Sequence, residues 1–337
     1  MIRTSNIIST TVSACALILA PLGIPNATAK PTYATFDVPG ADYYTYGISI
    51  NGRGAVAGSY RDSNHLWHGY VRAPDGTITT FDPPGSIGTV PSGINGSGAI
   101  TGYALSSSST AHGFVRAADG TITSFDPPLS DYTWPRSINR TGAIAGLYEN
   151  SDGVWHGFVR AADGTITSFD PPGSIYTYAA SINDKGAVAG YYGASSGPTH
   201  GFVRAPDGSI TSFDPPGSSD GTCAVSINNK GAIAGFYDHH GFVRAVDGTV
   251  TSFDPPGAFN TSPRNIDGKG AITGWYQDDN NVVLAHGFVR TPDGRIRSFD
   301  VPGSSDTYAQ GKNKGAITGY YDDATGYHGF VRLPTPR

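Results

Sequence analysis

The segment His-Gly-Phe-Val-Arg returns at His68 (with Tyr70 for Phe), His112, His156, His200, His240, His286 and His328, at steps of 44, 44, 44, 40, 46 and 42 residues. A fixed period of this length means one supersecondary unit stacked on its own copies, because a single unit cannot bury its apolar faces alone. Two further motifs keep the same beat. Ser-Ile-Asn-x-x-Gly-Ala-Ile-x-Gly-Tyr recurs with variations around Asn51, Asn95, Asn139, Asn183, Asn228, Asp267 and Asn313, and Phe-Asp-x-Pro begins at Phe36, Phe81, Phe125, Phe169, Phe213, Phe253 and Phe299.

Each unit reads as four strands. The first ends in Ser-Ile-Asn, and an Asn-x-x-Gly turn leads into a second, such as 186–192. After a variable loop comes a third, such as 201–205, and an Asp-Gly turn (Asp207-Gly208) returns the chain as a fourth, 209–214. Within the third strand Phe202 and Val203 point to opposite faces, and both are apolar, so both faces are covered. With 46 Gly and 24 Pro to punctuate strands, and one Met, the composition agrees. The sequence therefore predicts an all-β protein, a seven-bladed β-propeller of four-stranded antiparallel blades. The strand at Phe36 has no third strand before it, and the strand at His328 has no fourth after it. Joining the two completes the seventh blade and closes the ring without open edges.

Residues 1–29 read as a signal peptide, with Arg3, an apolar run over 7–24 and the small-residue site Ala27-Thr28-Ala29. Residues 30–337 then form a single propeller domain, expected to be secreted, extracellular or periplasmic after cleavage near Ala29, and monomeric. No second apolar segment is long enough to span a bilayer. Cys15 leaves with the signal, so Cys223 has no intramolecular disulfide partner. The net charge of -5 and the lack of a basic run exclude nucleic acid as a partner.

The repeat resembles the bacterial extracellular family named after a His-Ala-Phe tripeptide (HAF-type repeats), in which Ile-Asn-x-x-Gly-x-(Ile/Val)-x-Gly precedes that tripeptide. Ile182-Asn183, Gly186, Val188, Gly190 and His200-Gly201-Phe202, with their six counterparts, carry the resemblance over nearly the whole mature chain. The chain departs by having Gly for Ala in the tripeptide and Phe-Asp-Pro-Pro-Gly where that family usually has Leu-Gly. The resemblance implies an exported, propeller-like protein and no agreed chemistry.

Seven of the nine histidines share one repeat position and are assigned to structure. With the Asp of Phe-Asp and the repeat threonines, such as Thr89, they are expected to form hydrogen-bonded Thr, Asp and His clusters. Function is then sought on the variable loop face. There the position after the repeat Thr reads Tyr46, Val90, Trp134, Tyr178, Cys223, Ser262 and Tyr308. Two residues on it reads Ile48, Ser92, Arg136, Ala180, Val225, Arg264 and Gln310. Tyr46, Trp134, Arg136, Tyr178, Arg264, Tyr308 and Gln310, with Trp67 and Trp155 from the outer loops, are the expected ligand-binding residues. Aromatics stack on flat or apolar faces and guanidinium forks hold carboxylates; the alternative is that these aromatics merely plug the channel. The expected function is a binding or scaffolding propeller that engages a glycan or a surface protein. The alternative is a polysaccharide-active enzyme, a uronate-type lyase or a glycoside hydrolase at the channel mouth, with Tyr178, Tyr308, His65 or His239 as candidate catalytic residues. No cofactor is expected. The cluster Asp278-Asp279-Asn280-Asn281 offers hard oxygen ligands for calcium, but it is equally ordinary turn chemistry.

Overall fold

The computed structural model describes residues 31–278 and 284–334, and within them twenty-eight β-strands and no helix. The strands fall into consecutive antiparallel sets of four. In one set Ser174–Ile182 pairs with Val188–Ala194, that strand with Thr199–Arg204, and that with Ile210–Phe213. Local chemistry fixes the turns between them. Asn183 Oδ1 accepts the backbone N–H groups of Lys185 and Ala187, both at 3.0 Å, and Gly186 closes the turn at φ +86°, a conformation that side chains disfavour. Three sets stand as separate four-stranded sheets; the others are joined into two eight-stranded sheets by single parallel pairings, Tyr132 with Ala111 and Tyr44 with Tyr327. The N-terminal strand Tyr33–Phe36 pairs antiparallel with Gly326–Arg332, Tyr33 opposite Arg332.

The sets are held to one another by repeated side-chain contacts. Tyr70, Phe114, Phe158, Phe202, Phe242, Phe288 and Phe330 are fully buried, and each meets the Phe of a neighbouring Phe-Asp edge-on, as Phe114 meets Phe81 at 5.9 Å between ring centroids. The repeat arginine lies over that same ring: Arg116 Cζ is 5.0 Å from the Phe81 centroid, and Arg72 is 4.9 Å from Phe36. Such a contact contributes about 0.5–2 kcal/mol. It also accounts for the buried Nε of each of these arginines, which has no hydrogen-bond partner because an aromatic face occupies that side. The glycine of His-Gly-Phe follows from the same packing, since a Cβ at Gly201 would lie 2.9 Å from the Phe213 ring.

A ladder of amides ties the Asn-x-x-Gly turns together. Asn51 Nδ2 donates to Asn95 O, Asn95 to Asn139 O, Asn139 to Asn183 O, Asn183 to Asn228 O and Asn228 to Asp267 O, at 3.0–3.1 Å. Asp267 has no amide to pass on, and Lys312, standing where the other copies have Ile, pairs with its carboxylate instead. The pair is largely buried, with side chains 9 % and 13 % exposed.

The expected signal peptide, residues 1–29, lies outside the described residues. Among the described residues no helix is long and apolar enough to cross a membrane.

Candidate functional site

The repeat histidines are engaged in the packing of the sets. His68 Nδ1 lies 2.7 Å from one oxygen of Asp82, and Thr89 Oγ1 donates to the other at 2.5 Å. The same relay joins His156, Asp170 and Thr177, His200, Asp214 and Thr222, and His240, Asp254 and Thr261. Where Phe-Asp is followed by Val, the Val38 and Val301 N–H groups donate to Thr45 and Thr307 at 3.3 and 3.1 Å. Proline in that place has no N–H, which leaves the threonine free to turn to the aspartate.

The first strands of all the sets line one axial cavity of about 380 Å³. Each of these strands carries a register shift, and the residues skipped in pairing are Ile48, Ser92, Arg136, Ala180, Val225, Arg264 and Gln310. A bulge leaves one residue outside the ladder and re-aims its side chain, and here all seven line the cavity. Glycine on the second strand makes the bulge possible: a Cβ at Gly190 would fall on the Tyr178 carbonyl oxygen. The cavity wall contains two guanidinium groups and no carboxylate. Arg264 Nε donates to Gln310 Oε1 at 3.1 Å, and Arg136 lies over the Tyr178 ring at 5.2 Å. Burial and the charge of Arg136 pull the Arg264 guanidinium below its ordinary pKa. The Arg264 side chain is nonetheless exposed to solvent.

Aromatic side chains of these sets gather in groups, one of which, Tyr178 with Tyr191, lines the cavity. Tyr46 stacks on Trp67 at 5.4 Å and lies 4.5 Å from Tyr320, and Tyr308 stacks on Tyr320 at 4.9 Å. Elsewhere Trp134 lies 4.5 Å from Trp155 and 5.8 Å from Tyr103, and Tyr178 stacks on Tyr191 at 4.6 Å. Of the residues expected from sequence, Arg136, Tyr178, Arg264 and Gln310 line the cavity, and Tyr46, Trp67, Tyr308, Trp134 and Trp155 join these aromatic groups. His65 and His239 do not converge with them. Each sits in the left-handed backbone region of an outer loop, His65 3.3 Å from Asp42 and His239 stacked on Phe259 at 5.6 Å. Burial and the Asp306 charge push the Tyr308 phenol up.

Tyr103, Tyr191, Trp275 and Tyr320 were missed because they occupy the last position of the repeat motif, where Ser59, Leu147 and Phe236 also stand; variation at that position was the available signal. No group of three or more His, Cys, Asp or Glu side chains among the described residues could hold a metal ion, and 279–281 of the expected calcium cluster lie outside them.

No protein-family model matches the chain, and no curated protein sequence matches it. Solved structures do. Virginiamycin B lyase from Staphylococcus aureus is 17 % identical with a TM-score of 0.61, over 90 % of this chain and 100 % of that one. The β-propeller domain of the Trilobed protease from Pyrococcus furiosus is 10 % identical with a TM-score of 0.61, over 86 % of this chain and 96 % of that one. Puromycin hydrolase is 10 % identical with a TM-score of 0.62, over 91 % of this chain and 55 % of that one. At these identities the likeness is one of fold: the chain is an all-β protein of β-propeller type. It also corrects the functional expectation. These neighbours are a lyase named for virginiamycin B, a hydrolase named for puromycin and a protease, not glycan-binding or surface-scaffolding proteins. The polysaccharide-active alternative, lyase or glycosidase, finds no support among these neighbours either.

Proposed function

We propose that the sets of four strands are seven blades of a β-propeller, closed into a ring by the N-terminal strand, and that its axial channel binds a small organic anion. Closure is supported by the pairing of Tyr33–Phe36 with Gly326–Arg332 and by Arg72 over the Phe36 ring. Binding is carried by one observation: bulges aim Arg136 and Arg264 into a cavity whose wall holds no carboxylate. Two like charges placed together without a counter-ion leave their fork geometry open to a carboxylate or phosphate from outside. Export through residues 1–29 and kinship with HAF-type repeats belong to the same reading and rest on the sequence motifs. Calorimetry with benzoate tests it. The wild-type chain is expected to bind at low salt and Arg264→Gln to weaken binding about tenfold or more; equal heats for both proteins would refute the reading.

A second reading, turnover of that ligand, is favoured by the mouth carboxylates and by fold neighbours that include virginiamycin B lyase, one structure of which holds quinupristin. Asp322 pairs across the strands with Asp306, and burial together with the Asp306 and Asp323 charges raises its pKa. Asp322 also faces Tyr327 across the strands, which makes its carboxyl the candidate for a proton-transfer role. Mass spectrometry of small organic acids incubated with wild type and Asp322→Asn decides it: consumption by the first alone supports turnover, and consumption by both or by neither removes it.

A further inference from the structure

We infer that the anion held in the channel carries a flat apolar group, an aromatic ring above all, seated against the tyrosine and tryptophan wall beside Arg264. This rests on the channel reading above and names its ligand class.

A chain of contacts links the charge to the wall. Arg264 donates through Nε to Gln310 at 3.1 Å, which leaves its two terminal nitrogens for a carboxylate. Arg264 and Gln310 both act on the Tyr320 phenol, and Tyr320 lies 4.5 Å from Tyr46, which stacks on Trp67 at 5.4 Å. All three rings are half-buried, so apolar surface is left towards the mouth. The rings nearest Arg264 carry no charge of their own: burial pushes the Tyr46 and Tyr320 phenols up, so they keep their protons.

The other arginine is differently placed. Arg136 is already stacked over Tyr178 at 5.2 Å, whereas among the described residues no aromatic ring lies under Arg264. Arg264 and Gln310 line the cavity of about 380 Å³, a size suited to a small ligand, and the Tyr46, Trp67 and Tyr320 rings adjoin it outside that lining.

Calorimetry on the full chain with 3-phenylpropionate, propionate and 3-phenylpropanol separates the two ideas. The aryl acid is expected to bind about tenfold more tightly than propionate, the size of one or two aromatic contacts. The alcohol should bind at least tenfold more weakly than the aryl acid. Tyr46→Leu and Trp67→Leu should remove the preference for the aryl acid over propionate, while Arg264→Gln should weaken both acids. If Tyr46→Leu does not fold, Tyr308→Leu carries the same comparison. Equal binding of the two acids, indifferent to the Leu variants, overturns the aromatic inference and leaves the anion site standing. If neither acid responds to Arg264→Gln, the anion site falls and this inference with it.

Discussion

His68, His286 and His328 each lie between two aspartates, one on either ring nitrogen: Asp82 and Asp62, Asp300 and Asp278, and Asp37 and Asp323. Burial works against their charge, but the paired carboxylates outweigh it and raise all three above the usual histidine value. A raised pKa in the fold means stability that is full below the unfolded value of about 6.5 and is lost as pH climbs through the folded one. Asp323, held low by its bonds to Thr325 and by His328, acts oppositely: its contribution is present above about pH 4 and is lost on acidification. The melting temperature should therefore peak near pH 5–6 and fall by pH 8. Replacing the three histidines together by Gln should lower the peak and flatten the alkaline fall, which fluorimetric melts at pH 5.5 and 8 would measure; an unchanged slope refutes the assignment. At Gly201 the issue is space. With a Cβ 2.9 Å from Phe213, Gly201→Ala should cost about 1–3 kcal/mol in denaturant melts, as overpacking does.

At the scale of the strand, the amide ladder and its one exception make a sharper test. Lys312→Ile restores the repeat residue but strands the Asp267 carboxylate, which is largely buried and held below the usual range by Lys312 despite that burial. Removing one partner of such a pair costs about 3 kcal/mol. The double change Lys312→Ile with Asp267→Asn supplies an apolar residue and an amide that can continue the ladder, so it should return close to wild-type stability, and urea melts of the three variants would show it. Additive losses would mean the pair is not coupled. The bulges belong to the same scale, and they mark where sequence reading succeeded and where it stopped. Arg136, Arg264 and Gln310 stood out because one position varied against a constant background, and that position proved to be the bulged one. Tyr191 and Tyr320 did not stand out, because subtracting repeat positions discards a site that is constant in place but varied in identity. The pairing of Tyr44 with Tyr327 across sets was illegible, since it depends on how far a strand tip reaches past its neighbour.

For the molecule as a whole, stability should depend on the two ends of the described chain meeting. Tyr33–Phe36 is the only strand that the C-terminal set borrows from elsewhere among the described residues, and it brings three contacts with it. It pairs along Gly326–Arg332, sets Phe36 under Arg72 at 4.9 Å, and presents Asp37 to His328 at 2.8 Å. Removing residues 31–40 would forfeit about 2 kcal/mol for the aromatic side chain and about 1 for the cation–π contact, besides the hydrogen bonds of the strand. For a chain of this size a total near 4 kcal/mol corresponds to a melting temperature lower by about 10 °C. It would also leave Gly326–Arg332 as an open edge, which invites pairing between molecules. The truncated chain should therefore melt about 10 °C lower and run as oligomers on size-exclusion chromatography. A permutant that carries the same ten residues after Leu333 through a flexible linker should run as a monomer and recover most of the loss, because the C-terminal set needs the strand and not its covalent position. A truncated chain that stays monomeric with an unchanged melt would show that the sets hold together without closure.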